Sequence, residues 1–283
     1  MNGPMHILAQ LYQYEEGFYD MRTRYEAMMD GIALSSIDPS VYVTDISEEE
    51  PKIRRAGAAY ALGDGLRTGR VLRESLTVRV AFEIHEKDVR RRGEICQRIQ
   101  RWAQGKALSV NYRPGQRLLT VCETQPSVAS ALRWTQTLEA VFTAYAVPYW
   151  EDEIATRISI TGNGSASVFI PGTAEYTLVE AVLTNAGSTD ITSARLSVDG
   201  MNGVAGTAFA FTGICIPPDG ALKIAYDDAR VLSASVGGKS VLAQRTAESD
   251  DDLLSPCGKR VTFTVEGTGA GARTSFSVRG RYL

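Results

Sequence analysis

Apolar and polar residues alternate along one stretch of the chain and then change to a helical spacing. Every second residue of Leu76–Ile84 is apolar, which predicts a strand with one buried face. Over residues 86–104 the apolar residues recur at intervals of three and four, and arginine and glutamate fill most other positions. This spacing predicts one amphipathic helix of about five turns, which Gly105 ends in the left-handed cap conformation.

Strand patterns occur on both sides of this helix, so the predicted organising unit is one helix laid across a β framework. Alternation predicts strands near 41–46, 108–112 and 138–144. Residues 54–70 combine four glycines with several basic residues, which predicts a hairpin or an exposed loop. Three roles stay open for this segment: a lid, a partner-binding arm or a plain connection.

A change in composition at Glu151 marks a second domain. Of the 26 glycines in the chain, 16 follow this residue, and short β-like runs recur between them without a helical period. Such spacing predicts an antiparallel β-sandwich. We therefore predict an N-terminal extension over 1–27, a first β domain with one helix over 28–150, and the sandwich over 151–283. The extension is either a docking arm or an upstream part of the first domain, and the second interpretation is preferred.

Overall composition limits the classes of function. The chain has 283 residues, 44% of them hydrophobic, a net charge of −3 and a pI near 5.6, so nothing attracts the whole molecule to nucleic acid or to an anionic membrane. No apolar run reaches the roughly 20 residues needed to cross a bilayer, and the N-terminus has no signal-peptide pattern. These features predict a soluble protein without a membrane anchor, made in the cytoplasm.

Few residues are candidates for catalysis or for metal binding. His6 and His85 are 79 positions apart, which makes a poor metal site or catalytic triad. Residues 233–240 (SASVGGKS) resemble the end of a phosphate-binding loop, but serine replaces its first glycine and β-like runs surround it, so we predict a chance match. Residues 267–271 fail the dinucleotide-binding pattern and are predicted to be a hairpin turn. The acidic run at 248–252 is either a calcium loop or, as we favour, a solvated one.

Four separate cysteines and several arginines complete the chemical inventory. The cysteines form no CxxC pair, and we predict reduced thiols that act as buried small hydrophobic residues. No catalytic set emerges, so we predict a protein that is not an enzyme and has no cofactor or metal. The candidate subunit or partner interface consists of arginines in the glycine-rich segment and on the helix: Arg54, Arg55, Arg67, Arg70, Arg90 and Arg91.

The order of several elements forms a further pattern. These elements are the β segments at 31–34 and 41–46, the glycine-rich stretch ending at 63–65, the strand Leu76–Ile84, the helix ending at 99–103, the strands at 108–119, the Pro148-Tyr149 pair and the C-terminal Val278-Arg279-Gly280-Arg281-Tyr282-Leu283. Over roughly residues 28–283 this order resembles the distal tail proteins of long-tailed siphophages. Relative to that family, the chain has extra residues before Met28 and lacks a long insertion in its second domain.

The resemblance implies a fold and a structural role. The fold would be an N-terminal β-barrel-like or sandwich-like domain crossed by one α-helix, followed by a galectin-like antiparallel β-sandwich. The implied role is that of a phage or prophage virion protein made in the bacterial host, whose homo-hexameric ring joins the tail tube to the tail tip or baseplate. The implied partners are the tail tube protein, the tape measure protein and the tail-tip, receptor-binding or tail-associated lysin proteins, with DNA only in transit through the lumen.

A carbohydrate-binding protein is the alternative from another class. Its sandwich would attach the particle to a host-surface glycan. No tryptophan or histidine follows Trp150, so a tyrosine or phenylalanine would have to provide the ring on which a sugar stacks. This absence favours the structural hypothesis. A cell-wall hydrolase, a third possibility, lacks a catalytic set.

Overall fold

The computed structural model describes residues 25–59, 66–133, 137–200, 206–227 and 230–283. Over 53–59 and 66–72 it describes the backbone alone. The chain divides into two compact units between Pro148 and Tyr149. Both are built mainly from antiparallel strands, which confirms the mainly-β fold class predicted from the sequence.

In its described residues, the first unit contains strands β1 to β10 and two helices. The strands are β1 (Ala27–Met29), β2 (Ile32–Ala33), β3 (Val41–Glu49), β4 (Ile53–Ala59), β5 (Leu66–Arg73), β6 (Leu76–Ile84), β7 (Ala107–Val110), β8 (Gln116–Leu119), β9 (Val121–Thr124) and β10 (Leu138–Ala144). The helices are α1 (Val89–Trp102) and α2 (Val128–Ala131), and a 3-10 turn occupies Leu34–Ser36.

Two four-stranded arrangements and one hairpin organise these strands. Strands β2, β1, β7 and β8 are neighbours in that order, β3, β6, β10 and β9 form a second sheet, and β4 pairs with β5. The apolar face of β6 is fully buried at Val78, Val80 and Phe82, as the alternation predicts. Helix α1 buries its apolar stripe, and the Trp102 ring meets the Phe142 ring edge-on at 5.9 Å between centroids.

The bounds of α1 differ from the prediction for local physical reasons. The helix begins at Val89 because the Asp88 side chain accepts hydrogen bonds from the N–H groups of Arg90 and Arg91, which satisfies donors that a helix start leaves unpaired. The predicted left-handed cap at Gly105 is wrong, since its φ is not positive. Glycine is required there because a Cβ atom would overlap Met29 and Asp30. The one-turn helix α2 was not predicted.

The second unit contains strands β11 to β23. They are β11 (Trp150–Asp152), β12 (Thr156–Thr161), β13 (Gly164–Ile170), β14 (Tyr176–Asn185), β15 (Ile191–Gly200), β16 (Thr207–Ile216), β17 (Ala221–Tyr226), β18 (Leu232–Val236), β19 (Lys239–Ser240), β20 (Leu254–Pro256), β21 (Lys259–Glu266), β22 (Ala272–Val278) and β23 (Arg281–Tyr282). A 3-10 turn occupies Leu242–Gln244.

These strands form the predicted β-sandwich. One sheet has the order β12, β22, β14, β17, β18, β19, with β20 also paired to β14, and the other has the order β13, β21, β15, β16. Apolar side chains from both sheets fill the space between them. The contact between Phe263 of β21 and Phe276 of β22, at 5.1 Å between ring centroids, joins the two layers.

Three local predictions in this unit need correction. Residues 267–271 do not form a hairpin turn, because the flanking strands β21 and β22 belong to different sheets. The last of the predicted short β-like runs, residues 275–282, is not continuous: β22 and β23 are separated at Gly280, where a Cβ would crowd Asp152 and the Pro171 carbonyl. Cys215 is exposed rather than buried, whereas Cys96 and Cys257 are buried as predicted, and all four cysteines, with Cys122 half-buried, are free thiols.

A buried carboxylate anchors the C-terminal strand within the second unit. Glu151 is 3% exposed, and its carboxylate accepts hydrogen bonds from Arg230 Nη2 at 2.9 and 3.0 Å and from Arg281 Nε at 3.0 Å. The neighbouring Asp152 accepts a hydrogen bond from the Tyr282 hydroxyl at 3.0 Å. Burial, together with this hydrogen bond, raises the pKa of Tyr282 to about 12.

Candidate interaction surfaces

The four arginines predicted in the glycine-rich segment lie on a two-stranded arm. Strands β4 and β5 pair antiparallel, with Arg54 opposite Leu72 and Arg67 opposite Ala58, so the predicted hairpin is confirmed. Arg55 and Arg70 lie on the same two strands. The side chains of all four arginines, and residues 60–65 at the tip, lie outside what the structure describes.

The two arginines predicted on the helix have different surroundings. The Arg90 side chain is 89% exposed and pairs with Glu94 one turn later, with Nε 3.3 Å from Oε1. Arg91 pairs with Glu86 at 3.2 Å and approaches Asp38 at 3.6 Å. Arg90 therefore faces solvent, and Arg91 is held toward the segment before β3. The structure does not bring these two side chains together with the hairpin arginines in any described contact.

Asp38 lies beside two arginines of α1. Its side chain is 8% exposed and lies near Arg91 and Arg98, at 3.6 and 3.7 Å. Burial alone would raise the pKa of Asp38, but hydrogen bonds from Ser40 and the charge of Arg91 outweigh it, so the pKa is lowered. Asp38 is thus an ionised carboxylate that two arginines approach, and Arg91 has Glu86 as a second partner.

A groove of about 420 Å³ lies beside the C-terminal half of α1. Residues of α1 and of the segment that follows β1 line it, and we call it the cationic groove: Met29, Asp30, Ile32, Ser36, Ile37, Arg98, Arg101, Trp102 and Gly105. The Trp102 indole donates a hydrogen bond to the Ile32 carbonyl at 2.7 Å, which fixes the wall of the groove. Ile32 nevertheless leaves 58% of its surface exposed, so an apolar side chain is presented beside two arginines.

A second surface occupies the outer strand of a sheet in the same unit. Strand β9 is last in its sheet, and no strand of the described part of the chain pairs with its outer edge. Val121 is 58% exposed and Tyr145, just after β10, is 59% exposed. The Tyr145 hydroxyl donates to Glu123 Oε1 at 2.7 Å, and this hydrogen bond raises the pKa of the tyrosine. We call Val121, Glu123 and Tyr145 the acidic edge.

The outer strand β16 of the second unit is protected. The N–H groups of Thr246 and Asp250 donate to the carbonyls of Ala210 and Ala208, at 2.8 and 2.9 Å. The Asp250 carboxylate also accepts a hydrogen bond from the Ala208 N–H at 2.7 Å. Because these contacts occupy backbone groups that an outer strand otherwise leaves free, β16 is a poor template for pairing with another chain.

One exposed aromatic residue stands on the outer face of the four-stranded sheet of the second unit. Phe169 on β13 is 54% exposed and lies opposite Arg260 of β21. Two residues along, the hydroxyls of Ser167 and Thr262 are 2.8 Å apart. The face therefore combines an aromatic ring, a cation and two hydroxyl groups.

Other candidate chemistry has simpler explanations. Residues 233–240 form strands β18 and β19 around Gly237 and Gly238, both with positive φ, so the β-like surroundings predicted for this segment are confirmed. His85 Nε2 lies 2.6 Å from Glu83. Within the described ranges, no three potential metal ligands cluster, and no helix is long and apolar enough to span a membrane.

Sequence reasoning missed both the cationic groove and the acidic edge. Ile32 and Trp102 are 70 positions apart, and the helical pattern assigns Arg98 and Arg101 only to a polar face. The one signal available was the indole nitrogen of Trp102, which needs a hydrogen-bond partner when it is buried. Nothing in the local pattern identifies that partner.

Comparison with known proteins gives a likeness of fold. No protein-family model and no curated protein matches the chain. Among solved structures, the chain is similar to the Dit protein of phage SPP1, described as a paradigm of the hub adsorption apparatus in phages that infect Gram-positive bacteria. The identity is 12%, the TM-score is 0.60, and the match covers 90% of this chain and 98% of that one.

A second similarity is to a chain of the phage P2 baseplate in its activated conformation with Ca. The TM-score there is 0.49 at 10% identity, covering 90% of this chain and 97% of the other. The likeness to the SPP1 Dit protein confirms, at the level of the fold, the resemblance predicted from the sequence.

Proposed function

We propose that this chain is a structural protein of a phage or prophage tail. Six copies would form a ring at the tail tip that joins the tail tube to the tip or baseplate and passes DNA through its lumen. The observation that carries the proposal is the fold shared with a phage hub protein over 98% of that protein's length. The partners would be the tail tube protein, the tape measure protein, and tail-tip, receptor-binding or lysin proteins.

The two edge strands of one sheet in the first unit differ from each other, and this difference supports self-assembly. A closed ring needs a heterologous interface, in which one patch of each subunit contacts a different patch of the next. The sheet β3-β6-β10-β9 ends in two dissimilar strands, one of nine residues and one of four. Outer strands present unpaired N–H and C=O groups to another chain. Pairing of β9 with β3 of a second copy would therefore be heterologous.

The hairpin β4–β5 is the proposed clasping arm between subunits. Arg54, Arg55, Arg67 and Arg70 would meet carboxylates of the neighbouring copy, and Arg90 and Arg91 would extend that interface on α1. Replacing residues 54–70 by a short glycine-serine linker tests the arm, and we expect the ring to dissociate. A variant that still forms intact rings would remove the arm from the proposal.

Cryo-electron microscopy of the purified full chain tests the proposed function. We expect rings with six-fold symmetry and an open centre wide enough for duplex DNA. Rings of another symmetry, or particles with a closed centre, would contradict the proposed hexamer and the passage of DNA. The same images show whether rings occur singly or stacked.

One observation favours glycan binding by the second unit as the alternative function. Phe169 is the exposed ring that such a site needs, and Arg260 beside it could bind an anionic group of the sugar. Glycan-array binding of the full chain, compared with its Phe169→Ala variant, tests this alternative. Binding that disappears in the variant would support it, and a blank array would exclude the glycans tested.

A further inference from the structure

We infer that the cationic groove of one copy binds the acidic edge of a second copy. This inference rests on the proposed ring and specifies its interface. The groove offers a concave surface with an apolar wall and two arginines, and the edge offers a projecting valine, a tyrosine and a carboxylate. The two surfaces share no residue, so each copy could bind one neighbour through each surface.

One arginine of the groove, Arg101, has no carboxylate partner among the described residues. Arg98 approaches Asp38, and Arg91, which also approaches Asp38, pairs with Glu86. Arg101 is exposed and has no carboxylate within salt-bridge distance among the described residues. The other acid of the groove, Asp30, accepts hydrogen bonds from the backbone N–H groups of the two residues after Gly105. A carboxylate from another molecule would therefore find a free guanidinium at the rim.

The acidic edge has the complementary imbalance. The one described partner of the Glu123 carboxylate is the Tyr145 hydroxyl, which is neutral at physiological pH, so this negative charge has no cation beside it. Val121 and Tyr145 are each more than half exposed. The two surfaces are complementary. Val121 and Tyr145 would pack against the exposed Ile32, and the Glu123 carboxylate would meet the Arg101 guanidinium.

The positions of the two surfaces determine how strands of two copies would have to pair, because Val121 is level with Glu49, at the end of β3 away from the groove. The acidic edge lies on β9, and the groove includes Ile37, four residues before β3 begins at Val41. For the edge to reach the groove, β9 of one copy must therefore lie beside the first residues of β3 of the next, offset along the strand toward Val41. The side-chain contact and the backbone pairing then belong to one heterologous interface, which generates a ring when it closes.

Charge reversal on each surface provides the test. Each of the two variants Arg101→Glu and Glu123→Arg places like charges across the interface, so we expect self-association of the full chain to weaken at least about tenfold. The double variant has a glutamate in the groove and an arginine on the edge, so opposite charges face each other again. Its association constant should be within about threefold of that of the unmodified chain. Lys223→Glu, an exposed reversal in the second unit, is the matched control and should change nothing.

Mixing the two single variants gives a sharper readout. We expect each variant alone to associate weakly. In an equimolar mixture each groove faces an edge of opposite charge on the other variant, so we expect assemblies in which the two variants alternate. Sedimentation velocity measures assembly, and native mass spectrometry counts the variants in each particle. Circular dichroism checks that each variant is folded.

The outcomes separate this inference from the proposed function. Hexamers that survive both reversals would overturn the inferred interface and leave the ring standing. Association that stops at dimers and that each reversal abolishes would support the interface and contradict the ring. A mixture that fails to assemble would overturn the interface, and an unmodified chain that stays monomeric at every concentration would overturn both.

Discussion

Replacement of Glu151 by glutamine tests how the C-terminal strand is held in the second unit. The change replaces one carboxylate oxygen by an amide nitrogen. It removes a buried negative charge and keeps the size of the side chain nearly the same. Breaking a buried ion pair costs about 3–5 kcal/mol, because the remaining charge stays buried without its partner. Here two arginines lose that partner.

We expect a loss of about 3 kcal/mol in the free energy of unfolding, at the lower end of that range. The Arg230 side chain is 22% exposed, so water can solvate part of its charge, whereas the Arg281 side chain is only 10% exposed. Glutamine also keeps one oxygen that accepts a hydrogen bond. For a unit of this size, each kcal/mol lowers Tm by about 3–4 °C, which gives about 10 °C in total.

Differential scanning calorimetry of the full chain measures this effect. The transition that belongs to the second unit should move, and the transition of the first unit should stay in place. Glu153→Gln is the matched control, since Glu153 is exposed, and its Tm should change by less than about 1 °C. A Glu151→Gln variant within about 2 °C of the unmodified chain would refute the buried ion-pair account.

Three further predictions concern the backbone, a helix cap and the thiols. Gly172→Ala should destabilise the second unit by more than Gly238→Ala. Both glycines have positive φ, but only at Gly172 would a Cβ also overlap the β23 backbone. For Gly238→Ala we expect a loss of about 1 kcal/mol in the free energy of unfolding, measured in urea. Asp88→Ala removes the cap of α1 and should cost about 1 kcal/mol in the same assay. A thiol reagent at pH 8 should modify the exposed Cys215 first and spare Cys96, whose pKa burial raises to about 11.

Each of these predictions has an outcome that contradicts it. Equal losses for the two glycine variants would mean that the close approach to β23 is absent. A stability loss for Lys87→Ala as large as that for Asp88→Ala would show that the cap is not the cause. If the reagent modified Cys96 as fast as Cys215 in the folded protein, the burial of the apolar face of α1, where Cys96 lies, would be contradicted.

Local patterns in the sequence predicted those elements whose structure depends on local physics. The alternation over Leu76–Ile84 matches the bounds of β6, because one face of that strand is buried from Leu76 to Phe82. The apolar period of α1 was equally clear. The role of Gly105 was predicted wrongly, because its reason is a tertiary contact with Met29 rather than a cap.

Features that depend on contacts distant in sequence could not be predicted in this way. The turn at 267–271 has the composition of a hairpin, and only the partners of β21 and β22 show that it connects two sheets. The cationic groove likewise joins Ile32 to the end of α1 through one hydrogen bond across 70 positions. Periodicity fixes which face of an element is buried, but it does not say which other element covers that face.

The mass of the full chain in solution tests the central claim most directly. Light scattering across a range of concentrations should give a main species of six subunits, about 184 kDa for chains of 30.7 kDa each. A mass near that of one chain at every concentration would contradict a protein that builds a hexameric ring.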